Sequence, residues 1–192
     1  PEDRPARILV VGGSLGAGFL AREIPRVLQR VVGLGVSVEV HHQVDPGQVD
    51  GTRNAYARAG ITAEVVSYID DMPSAYRAAD LAIVRGGAST ISELAVVGLP
   101  ALLVPWSGAA RNHQQANARA FAERGAGLWA DEQDWSAERV ADDLAAFLQD
   151  ETAWRQAADA LGAMARPDAA RFIARDLLEF AATERFDSFV RE

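Results

Sequence analysis

The chain has 192 residues, 49% of them apolar, and its 27 acidic and 19 basic residues give a formal net charge of −8. That length fits one packed domain, the acidity speaks against a broad nucleic-acid surface, and no apolar run approaches the roughly 18 residues of a membrane span. Without cysteine there is no disulfide, zinc–thiolate or thiol chemistry and the cytosol is the default compartment, and without lysine there is no Schiff-base or P-loop lysine.

Residues 7–11 (Arg-Ile-Leu-Val-Val) form a short β-branched run bounded by Gly12-Gly13-Ser14, the pattern of a buried parallel strand. Helical spacing follows over 19–32 through Leu20, Ile24, Val27, Leu28 and Val31. The pattern then predicts strands at 36–42, 64–69, 80–84 and 101–104, alternating with helices at 48–59, 72–79 and 89–97. A helix at 112–124 stops at Gly125, a short strand follows at 127–130, and helices at 136–149, 152–164 and 168–185 finish the chain. Pro167 separates the last two. Such alternation without repeats predicts an α/β fold, an open, mostly parallel sheet wound on both faces. Ligands on these sheets sit beyond the carboxyl ends of the strands, where residues 12–16, 85–89 and 105–112 fall.

Three stretches there carry the chemistry. The turn Gly12-Gly-Ser-Leu-Gly-Ala-Gly18 does not fit G-x-G-x-x-G, because no glycine in it has others at offsets two and five. It reads as a turn presenting N–H groups and the Ser14 hydroxyl to a phosphate or sugar, or as a bare strand-to-helix turn. In Arg85-Gly-Gly-Ala-Ser-Thr-Ile-Ser-Glu93 a glycine turn allows close backbone approach, and free N–H groups at a helix start favour anionic oxygens. Glu93, one turn in, suits a pair of sugar hydroxyls. Thr90-Ile-Ser-Glu93 equally fits a capping box, and both readings hold if the helix begins at Ser89. Arg85 is free on sequence to pair with phosphate or to tether its loop to a carboxylate. The amides of Asn112, Gln114, Gln115 and Asn117 suit sugar hydroxyls, with Asn112 also placed to cap a helix. Together these describe a nucleotide-diphosphate site that uses no metal.

Other polar groups read as structural. His41-His42 lacks the further ligands of a metal site, and Asp70-Asp71 before Met72 reads as helix N-capping. No Ser–His–Asp set or nucleophile elbow is visible.

The blocks Gly12-Gly-Ser-x-Gly16, Tyr68-Ile-Asp-Asp-Met72, Gly87-Ala-Ser-Thr-Ile-Ser-Glu93, Gly98-Leu-Pro-Ala-Leu-Leu-Val-Pro105 and His113-Gln-x-x-Asn117, in this order, resemble the C-terminal half of the MurG family. These bacterial N-acetylglucosaminyltransferases complete lipid II for peptidoglycan. The resemblance implies the Rossmann-like C-terminal domain of a GT-B glycosyltransferase that binds UDP-N-acetylglucosamine (UDP-GlcNAc) without cofactor or metal. By position, Ser14 would contact the donor and Ile69 would meet the uracil through its backbone. Ala88, Ser89, Thr90, Ile91 and Ser92 would face the diphosphate with Arg85 as a helper, Glu93 would accept the ribose hydroxyls, and Gln114 would read the sugar. The sequence departs from the family at Leu15, where glutamine is common, at Gly18, where arginine often stands, and at Gly108, where histidine is usual.

The resemblance further implies a catalytic base and a lipid-acceptor site in an N-terminal half, and a full enzyme at the cytoplasmic face of the plasma membrane. Residues 1–166 would form the donor domain and 167–192 a helix that docks on the N-terminal domain. The start at Pro1 rather than methionine suggests a fragment, a processed product or a trimmed chain. Rival expectations are a separate donor-binding subunit of a two-chain transferase, a UDP-sugar epimerase or hydrolase, and a nucleotide-sugar sensor. Nucleic acid is not expected as a partner.

Overall fold

A computed structural model describes residues 4–108 and 112–182, the side chains of 14–17 and 182 excepted. Six strands form one parallel sheet: β1 (Ala6–Val11), β2 (Val38–Gln43), β3 (Thr62–Val66), β4 (Leu81–Val84), β5 (Ala101–Leu103) and β6 (Gly127–Trp129). Their order is β3-β2-β1-β4-β5-β6. Helices α1 (Gly13–Gly33), α2 (Val49–Arg58), α3 (Met72–Ala78), α4 (Ala88–Val97) and α5 (His113–Glu123) make the crossovers. Helices α6 (Ala137–Gln149), α7 (Glu151–Met164) and α8 (Ala169–Ala182) complete the described chain.

Alternation along the strands explains why both faces are wound. Ile8, Val10, Leu81, Ile83, Leu102 and Val104 face a core shared with Leu20, Ile24 and Leu28 of α1 and Leu144 of α6. Their neighbours Leu9, Ala82, Val84, Ala101 and Leu103 face the opposite core, with Tyr76, Leu94, Phe121 and Leu161 from α3, α4, α5 and α7. A strand buried on both sides has no polar positions to alternate with, which is why β4 and β5 read as unbroken apolar runs.

Several boundaries differ from the sequence reading. Helix α1 begins at Gly13, six residues before the expected start at residue 19, so the glycine-rich stretch is mostly a helical first turn. Gly13 itself turns at φ +66°, a left-handed value that favours glycine. Strand β3 spans Thr62–Val66 rather than 64–69, because its partner β2 ends at Gln43 and only Val44 N–H reaches on to Val66 O. Ile69 therefore lies in the loop that follows. Helix α4 begins at Ala88, one residue earlier than expected. A 3-10 turn, Pro46–Gln48, precedes α2. Asp71 does cap α3, accepting from Ser74 N–H at 3.0 Å.

Candidate functional site

In this order the sheet's connections reverse direction between β1 and β4, leaving a crevice at their carboxyl ends. Helix α1 starts on one side of it and α4 on the other, and α5 begins beyond neighbouring β5. All three helices lack an acidic residue in the first turn. By contrast α2, α6 and α7 carry Asp50, Glu138 and Glu151 there. The positive N-terminal poles at the crevice thus lack the first-turn carboxylates that offset those of α2, α6 and α7.

At α4 the cap is Gly87, in extended conformation and without a side-chain cap bond. The first helical hydrogen bond runs from Ile91 N–H to Gly87 O, so the N–H groups of Ala88, Ser89 and Thr90 stand outside the helical ladder. The capping box is therefore not formed: Thr90 lies inside the first turn, and Glu93 does not reach back to it. Instead the exposed Glu93 carboxylate accepts a hydrogen bond from Tyr76 Oη at 2.9 Å. Burial of Tyr76, and then this bond, push its hydroxyl pKa well above the ordinary tyrosine value, so it remains a donor. Ser92 turns its hydroxyl back to Ala88 O at 3.0 Å, which occupies its proton within the helix.

Arg85 directly follows β4, and of the two roles open to it on sequence the structure shows the tether. Its Nη1 lies 3.0 Å from Val104 O and 2.6 Å from Glu132 Oε1. The two charged side chains are 8% and 9% exposed, so neither charge faces bulk water. Burial pulls the guanidinium below the ordinary arginine pKa, and the Glu132 carboxylate acts in the opposite sense. A guanidinium engaged this way positions the loop. It also stacks over Phe19 of α1 at 5.7 Å, which joins the two sides of the crevice.

Helix α5 closes on the same loop. Asn117 Nδ2 donates to Gly86 O at 3.0 Å. A Cβ on Gly86 would fall 2.5 Å from Gln114 O, so only glycine permits this approach. Gln114 Oε1 accepts from Trp106 N–H at 3.0 Å, and Gln115 donates to Asp131. Asn112 stands at the cap position with φ +52° and no side-chain cap bond, so its expected capping role is not realised. Ile69 is 7% exposed and packs with Tyr76 and Leu94. Ser14 lies in the first turn of α1, with its side chain outside the described residues. The turn containing Gly108 is described only to that residue.

The sequence reading missed Tyr76 and Glu132. Tyr76 sits in a short helix that reads as a connector. Glu132 lies within Asp131-Glu-Gln-Asp134, a run that looks like a solvated loop. Among the described residues no group of three or more His, Asp or Glu gathers as a metal site, and no helix is long and apolar enough to cross a membrane.

The sequence model of the glycosyltransferase family 28 C-terminal domain matches residues 7–173. A relative from Alkalilimnicola ehrlichii, described as a UDP-N-acetylglucosamine–N-acetylmuramyl-(pentapeptide) pyrophosphoryl-undecaprenol N-acetylglucosamine transferase, is 44% identical over 187 residues. That match covers 94% of this chain and 52% of the relative. A relative of the same description from Azoarcus is 42% identical, with 92% and 49% covered. Among solved structures, MurG of Acinetobacter baumannii superposes with a TM-score of 0.83 at 35% identity, covering 92% of this chain and 52% of that one. The chain thus spans about half the length of the relatives it matches.

Proposed function

Because the chain belongs to the glycosyltransferase family 28 C-terminal domains, we propose that it is the donor-binding half of an inverting transferase that takes GlcNAc from UDP-GlcNAc. The full enzyme would pass the sugar to the C4 hydroxyl of the muramoyl residue on undecaprenyl diphosphate, converting lipid I to lipid II. The observation that carries this reading is the start of α4, where three N–H groups lie outside the helical ladder and no acidic residue shares the first turn. Such a terminus suits the diphosphate of a nucleotide sugar.

Each further contact has a group suited to it. Glu93, aimed by Tyr76, accepts the ribose hydroxyls, and the backbone at Ile69 meets the uracil. Ser14 in the first turn of α1 approaches from the other side of the crevice, and Gln114 contacts the sugar. In transfer, the N–H groups of Ala88, Ser89 and Thr90 stabilise the negative charge that develops on departing UDP. The base that activates the acceptor hydroxyl belongs to the N-terminal half, together with the lipid site at the cytoplasmic face of the membrane. No metal takes part. This chain therefore binds donor without transferring it.

Titration calorimetry of the chain with EDTA present tests the reading. UDP-GlcNAc binds weakly, and UDP retains most of the affinity because phosphate and ribose contacts dominate. No heat at millimolar ligand would overturn it.

A further inference from the structure

We propose that Glu132, which belongs to no donor contact, is a positioning residue that sets the sugar selectivity of this site by aiming Gln114. The proposal rests on the donor-binding reading and extends it to a residue 47 positions along the chain from Arg85.

The Glu132 carboxylate joins the ends of three strands. One oxygen lies 2.6 Å from Arg85 Nη1, which also donates to Val104 O just past β5. The other accepts from Ser107 N–H at 3.1 Å and from the Ser107 hydroxyl at 2.8 Å. Glu132 itself follows β6. The turn it holds contains Trp106, whose N–H donates to Gln114 Oε1.

A carboxamide is planar, so fixing its oxygen fixes the direction of its nitrogen. With Oε1 engaged, Gln114 meets a ligand chiefly as a donor through Nε2, suited to the lone pairs of sugar hydroxyl oxygens. The backbone of α5 is held separately, by Asn117 on Gly86 O and by the close approach of Gly86 to Gln114 O. Among the described residues, the rotation of the Gln114 amide is set by the 105–108 turn, and that turn is anchored by Glu132. Diphosphate and ribose contacts lie on α4 and do not pass through this turn.

Calorimetry with UDP, UDP-GlcNAc and its C4 epimer UDP-GalNAc, on the chain and its Glu132→Gln variant, tests this. The preference for UDP-GlcNAc over the epimer is expected to fall by about fivefold, one hydrogen bond's share of affinity, while UDP affinity, reached only through the Arg85 tether, falls by less than that. Since Glu132→Gln leaves Arg85 buried without its countercharge, Ser107→Ala is measured beside it. That exposed substitution keeps the ion pair and is expected to reduce the preference by about twofold. An unchanged preference in the folded variants overturns the proposal, as does an equal loss of UDP affinity, which marks a merely structural role. If the unsubstituted chain does not bind UDP, the donor reading itself fails and this proposal with it.

Discussion

At residue scale the decisive contrast lies between Glu93 as a helix cap and Glu93 as a ligand group. A cap would bond back to the first-turn backbone, whereas this carboxylate is exposed and accepts from Tyr76. Because α4 starts without any side-chain cap, Glu93→Gln removes no capping bond. It keeps the shape but weakens the acceptor, and should cost about 1.5–3 kcal/mol of UDP affinity with little change in melting temperature. Tyr76→Phe leaves the charge and removes the group that aims it, with an expected loss of about 1 kcal/mol. Calorimetry and thermal unfolding on the two variants separate these effects. A fall in stability at constant UDP affinity would show that Glu93 serves the helix after all. The residues of the candidate site were legible as a group because a glycine turn before a helix start has a local signature. Glu132 was not legible, since its meaning depends on Arg85 and Ser107 being brought to it by the fold.

At the scale of elements, type and sequence followed from periodicity and turn residues, while boundaries followed from pairing. Strand β3 stops where β2 stops, and no local signal in Val65 to Ile69 records that. Helix α8 poses the opposite case, since its helical pattern is plain while its apolar side chains stand exposed. Residues 169–181 are exposed throughout, including Phe172 at 51%, Ile173 at 61%, Leu177 at 62% and Leu178 at 72%. An apolar stripe of this kind suits a partner surface, and because the relatives are about twice as long as this chain we propose an N-terminal half as that partner. The expectation for Phe186, Phe189 and Val190 lies outside the described residues. A chain ending at Arg166 should keep its cooperative unfolding, with a melting temperature within about 3 °C of the full chain, because residues 167–181 are all exposed. It should also show less self-association in sedimentation. Collapse of the shortened chain would make α8 part of this domain rather than a docking element.

At the scale of the whole molecule, strand order was beyond the sequence pattern. Alternation announces a parallel sheet, but the reversal between β1 and β4 depends on which face each crossover covers. The same burial that builds the sheet makes one histidine a sensor of global stability. His42 on β2 is fully buried, its Nδ1 2.9 Å from Tyr56 Oη, and burial, then the neighbouring His41, hold its pKa down at about 3. In the unfolded chain it returns to about 6.5. Between these values the unfolded state binds a proton that the native state refuses, so stability falls as the pH falls from about 6.5 toward 3. The limiting slope from this one group is about 1.4 kcal/mol per pH unit. His42→Gln can keep a hydrogen bond with Tyr56 and removes the titration. Urea unfolding at several pH values between about 7 and 5, above the range of ordinary carboxylates, reads the difference. The midpoint of the natural chain should decline across that window, and that of His42→Gln should decline distinctly less. Equal slopes would mean that the folded protein takes up the His42 proton as readily as the unfolded chain, and would overturn this account.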